Sequence, residues 1–184
     1  MRGKTTPSSA IKRVLQGLSG VTDLKHVLMS YTPSPWVDDS TVSNMWAGLL
    51  ALACSKEGLD DSSLIFINIL SQITSLQAKI INYACNTVEV KLSKKGGIYC
   101  DMPRVSISKV FGITGCNDIH RVDRELDHLR SLELIGSGIG GGGFTIELDN
   151  ADISPQPLAL HFYARCQGWA CKVEDYYNAQ PDET

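Results

Sequence analysis

None of the six cysteines, at positions 54, 85, 100, 116, 166 and 171, is paired at CxxC spacing. That removes the common zinc-ribbon and dithiol-redox patterns. Cys54 and Cys85 lie inside apolar helical patterns, where cysteine acts as a small hydrophobe. All six are expected to be reduced thiols in a cytosolic protein. Long hydrophobic runs are missing too. The longest strongly apolar stretch, Met45–Cys54, is far too short to span a bilayer. The N-terminus lacks the apolar core of a signal peptide, so a soluble cytoplasmic protein without a membrane partner is expected. A basic excess is also absent: 17 Lys and Arg face 20 Asp and Glu, for a net charge of −3. A whole-molecule field attractive to nucleic acid is therefore excluded, and any such role must come from a local patch.

Catalytic signatures are missing as well. There is no G-x-S-x-G, no H-E-x-x-H and no Cys/His constellation with supporting spacing. His161, Cys166 and Cys171 form H-x4-C-x4-C, but residues five apart on a helix face different directions, which argues against zinc. Asp38-Asp39 and Asp60-Asp61 precede apolar helices and read as caps rather than an acid/base pair. Gly136-Ser137-Gly138-Ile139-Gly140-Gly141 matches G-x-G-x-x-G as a string. A dinucleotide site needs a helix to follow those glycines. Here an alternating strand, Phe144–Leu148, follows instead. No enzymatic activity, cofactor or metal is expected.

What is present, in 184 residues that are 43% apolar and 20% charged, is the pattern of a folded, mostly helical protein. Residues 1–35 read as a flexible segment with short helices, broken at Thr32-Pro33-Ser34-Pro35. Residues 36–86 read as a helical region. Asp38–Ser55 carries Val42, Met45, Trp46, Leu49, Leu50 and Ala53 on one stripe, after a cap at Asp39 or Ser40. Leu64–Ile73 is apolar nearly all round and predicts a buried central helix. Leu76–Asn86 follows a cap at Thr74 or Ser75, with Leu76, Ile80 and Tyr83 on one face.

Residues 87–170 read as a winged-helix region with a closing helix. Thr87–Leu92 and Ile98–Cys100 alternate around a turn at Lys94-Lys95-Gly96-Gly97. Ser106 caps a short helix with Ile107, Val110 and Phe111 inward, and Gly112 suits its left-handed end. Asp118 caps a longer helix with Ile119, Val122, Leu126 and Leu129 in the core, and Leu132, Leu134 and Ile135 continue toward a strand. The glycines of 138–143 tip a hairpin that carries no Lys or Arg. Ser154-Pro155 opens the closing helix, with Leu158, Phe162, Cys166 and Trp169 as its buried stripe. Residues 171–184 read as a loose acidic tail. The fold class is thus mainly α (α+β): an N-terminal helical region packed on a winged helix-turn-helix with small β-hairpins.

The longer helix is the candidate binding element. Arg121, Arg124 and His128, at i, i+3 and i+7, share a side that could meet a phosphate backbone or base edges. His120, Lys109 and the Gly140-Gly141 tip would border it. Asp118, Asp123, Glu125 and Asp127 on the same helix outnumber its three arginines. Arg121 with Glu125, and Asp123 or Asp127 with Arg130, read as helix-surface pairs. A charge-balanced helix would be desolvated on DNA while releasing few counterions. A protein partner is favoured and DNA remains the alternative. The pattern specifies no oligomeric state.

Trp46–Leu50, Ile69–Ile81, Leu126–Ile135 and Ile153–Cys166, in that order, resemble the abortive-infection alpha (Abi-alpha) family. The resemblance spans roughly residues 36–168 and rests on apolar patterning. It implies a bacterial, cytosolic, non-enzymatic component of phage resistance, and it carries over no catalytic residue.

Overall fold

A computed structural model describes residues 40–53, 62–101, 104–136 and 150–179. Among them lie helices α1 (Ser40–Ala53), α2 (Ser62–Gln72) and α3 (Ser75–Thr87). Strands β1 (Glu89–Leu92), β2 (Ile98–Asp101) and β3 (Val105–Ser106) follow. Then come α4 (Ile107–Thr114), α5 (Ile119–Ser131), β4 (Asn150–Ala151), α6 (Pro157–Cys166) and α7 (Val173–Asn178). The fold is mostly helical, with small antiparallel two-stranded sheets. The chain divides into two compact units: Met1–Gln72 with Ala164–Cys171, and Ile73–Tyr163 with Lys172–Thr184.

In the first unit α1 packs on α2. The α1 stripe is buried at Val42, Met45, Trp46 and Leu49, and it continues at Leu52, while Leu50 is half-buried. Gly48 is required for a steric reason: a Cβ there would fall on the Cys166 backbone carbonyl. Beyond Cys166 the chain turns through Gly168, at φ 76°, and the Arg165 guanidinium donates to the carbonyls of Trp169 at 2.9 Å and Ala170 at 2.7 Å. The expectation that α2 is buried all round fails. Phe66, Ile69 and Leu70 are buried, but Leu64 is 63% and Ile65 56% exposed. An apolar sequence fixes no face; the packing of α1 chooses one.

In the second unit α3 packs on α4 and α5. Ile80, Ile81 and Ala84 of α3, Val110 of α4, and Val122, Leu126 and Leu129 of α5 are fully buried. Each large side chain so buried contributes roughly 2 kcal/mol. β1 and β2 form a hairpin with Leu92 opposite Ile98, closed by Ser93 N–H to Gly97 O at 2.8 Å. β3 pairs with β4, Val105 opposite Ala151, and Ile135 bridges to Pro155. The predicted wing from Ser137 through Leu148, with Gly140 and Gly141, lies outside the described residues, as does Cys54.

Four local expectations are corrected. α4 does not end at Gly112. It runs through Gly112 to Thr114, whose hydroxyl donates to Val110 O, and Gly115 takes the left-handed φ of 72°. Ile119, the first residue of α5, is 37% exposed rather than core. The closing helix starts at Pro157, because Pro155 is held in the bridge to Ile135. Its buried residues are Ala159, Leu160, Phe162, Tyr163, Ala164 and Cys166, with Leu158 and Trp169 only half-buried. Finally, Val173–Asn178 is not loose tail but α7. Val173 is buried, Tyr176 meets Tyr163 edge-on, and Tyr177 Oη donates to Leu160 O at 3.2 Å.

Candidate functional site

The starts of α3 and the middle of α5 are tied together by side chains that first serve a local purpose. Thr74 caps α3: its Oγ1 accepts from Gln77 N–H at 3.2 Å, and Gln77 Oε1 accepts from Thr74 N–H at 2.9 Å. This reciprocal capping box satisfies two backbone donors. The same two side chains then reach α5. Thr74 Oγ1–H donates to Glu125 Oε2 at 2.8 Å. Gln77 Nε2 donates to the Glu125 carbonyl at 3.0 Å and lies 2.9 Å from His128 Nδ1. Gln77 is buried to 1% exposure, so every hydrogen bond it makes matters.

This clasp corrects the placement of His128. It stands on the side of Arg121 and Arg124 but is not open as they are. Its ring is half-buried and turned to Gln77. Glu125 is likewise drawn in: its side chain is 14% exposed, and its second oxygen stands 3.9 Å from Arg121 Nε. Asp127 pairs with Arg130 at 2.7 Å, and Asp118 accepts from the His120 and Arg121 amides at 3.0 and 3.2 Å. Arg121, with a side chain 57% exposed, Arg124 and His120 stay on the outer side of α5. Lys109 is exposed on α4, its ammonium 5.2 Å from the centre of the Tyr83 ring. The structure therefore groups His120, Arg121, Arg124 and the edge of His128 on one element.

Among the described residues, no three His, Cys, Asp or Glu side chains converge as metal ligands. The five described cysteines are free thiols. Cys85, buried under Ala159 O at 3.8 Å, has its thiol pushed far up by burial and by Cys100; Tyr177 is raised by burial and by Cys85. A thiol held protonated in this way is a poor nucleophile. No described helix is long and apolar enough to cross a membrane.

Sequence reading missed Gln77 as part of the site. The signal was there: Thr-x-x-Gln before an apolar run is a capping-box pattern. What it could not announce is a partner 48 residues away. No curated protein and no solved structure matches the chain. The abortive infection alpha family model does match, over residues 22–155. That range takes in α1 to β4, including Trp46–Leu50, the capping box and Leu126–Ile135, and stops short of α6. Since the match covers well over half of its length, the chain belongs to the abortive infection alpha family.

Proposed function

We propose that the protein is a non-enzymatic component of a phage-defence system of the abortive-infection type, acting by docking a protein partner on the outer side of α5. Family membership supports the setting. The observation that carries the docking role is the state of the Arg124 and His120 side chains: both residues are exposed, and neither side chain has an ion pair or hydrogen bond among the described residues. Arginine is enriched among the residues that anchor interfaces. Val122, Leu126 and Leu129 hold α5 in place, so its outer side is presented on a backbone that is already ordered.

The second reading is a DNA-binding regulator. The order α4, a short link and α5 supports it, because such a pair can set its second helix in a major groove. The three carboxylates of α5, with Asp118 at its cap, weigh against it.

The test is the Arg121→Ala/Arg124→Ala double variant, compared with wild type for phage protection in host cells. A photo-crosslinker at position 120 reports what lies on α5. The docking reading expects a protein adduct, and a folded double variant that loses both the adduct and protection. A double variant with full protection and an unchanged adduct would overturn it. Adducts to DNA alone would move the assignment to the regulator.

A further inference from the structure

The capping box decides which hydrogen the His128 ring carries. A backbone N–H can only donate, and Thr74 N–H meets Gln77 Oε1 at 2.9 Å. That contact fixes the amide: the carbonyl oxygen faces Thr74, and the NH2 group faces α5. One NH2 hydrogen goes to the Glu125 carbonyl at 3.0 Å, which leaves the other for His128 Nδ1 at 2.9 Å. Gln77 Oε1 is farther from the ring nitrogen, at 3.2 Å, and a hydrogen on Nδ1 would meet the amide hydrogen in the 2.9 Å gap to Nε2. Nδ1 must therefore accept, and the ring hydrogen sits on Nε2. No hydrogen bond to Nε2 is formed among the described residues, so this donor is available on the flank of α5, one turn beyond Arg124.

We infer that the clasp holds His128 as its Nε2–H tautomer, so that His128, Arg121 and Arg124 offer only donors, and that the partner they fit is a carboxylate-bearing segment of a protein. This rests on the reading of α5 as the docking face. Guanidinium groups pair with carboxylates in a two-bond fork, and Arg121 and Arg124 stand one turn apart. A short acidic segment can meet these donors one at a time. A nucleic acid duplex brings a longer row of fixed phosphates, and so more negative charge near the 55% exposed Asp127, than a short segment does.

Two measurements on the full chain test this. The first is NMR of protein carrying nitrogen-15 in its histidine rings. The expected pattern is a protonated Nε2 and an unprotonated Nδ1 at His128; the opposite tautomer would overturn the clasp assignment and leave the docking face standing. The second is titration with a labelled oligoglutamate peptide and, separately, a short DNA duplex, at physiological salt. The peptide is expected to shift the Arg121, Arg124 and His128 resonances, and Arg121→Ala/Arg124→Ala to weaken it about tenfold or more. Tighter binding of the duplex than of the peptide overturns the acidic-segment assignment. Binding of neither probe, with the protein adduct at position 120 still formed, overturns the acidic chemistry alone. Loss of both removes the docking face itself.

Discussion

α3 and α4 begin in the same way and end up with different work. Thr74, at φ −81° and ψ 166°, and Ser106, at φ −64° and ψ 150°, have the same extended backbone. Each offers a hydroxyl oxygen to the amide three residues on, at 3.2 Å in both cases. The difference lies in that third residue. Gln77 has an acceptor to return to the cap and an NH2 to send onward; Lys109 has no acceptor, and its ammonium rests over Tyr83. Beyond its cap the Ser106 hydroxyl meets Ser108, at 3.1 Å on the exposed surface, whereas that of Thr74 reaches Glu125. One residue type thus turns a local helix start into a tertiary joint.

Four substitutions sharpen or break this comparison. Gln77→Ala should cost most, about 3 kcal/mol in urea unfolding, because it empties a buried position, removes half of the capping box and leaves His128 Nδ1 without its partner. Thr74→Ala comes next, at about 2 kcal/mol, since the cap and the partner of Glu125 go together. Ser106→Ala should lose only the cap, about 1 kcal/mol or less. If chemical denaturation finds Ser106→Ala as costly as Thr74→Ala, the distinction between the two helix starts collapses. Arg124→Ala should change stability by no more than about 0.5 kcal/mol. A large drop in its thermal midpoint would mean that Arg124 is structural and not part of a docking face.

Much of the fold is legible in the residue pattern where one periodicity has one solution. The α5 stripe of Val122, Leu126 and Leu129, the Asp118 and Ser106 caps, and the Lys94–Gly97 turn all follow from local chemistry. The misreadings share a cause. Gly112 and Gly115 are both competent stops, as Pro155 and Pro157 are both competent starts, and long-range packing decides between them. α7 hid behind acidic composition, although Val173, Tyr176 and Tyr177 already stood at helical spacing. At the candidate site, the outward arginines were visible in the sequence. The inward turn of Glu125 and His128 was not, because it depends on where α3 begins relative to α5.

The clasp also sets where this chain can change length. Gln77 and Glu125 are 48 residues apart, with the β1–β2 hairpin, β3 and α4 between them. Closing a loop costs more only logarithmically as it grows, about 0.6 kcal/mol for each doubling. An insertion at the exposed Lys94–Gly97 tip would therefore leave the joint nearly as stable as before. An insertion of a single residue between Thr74 and Gln77 would break the three-residue spacing on which both halves of the joint depend. The long interval is elastic and the short one is not.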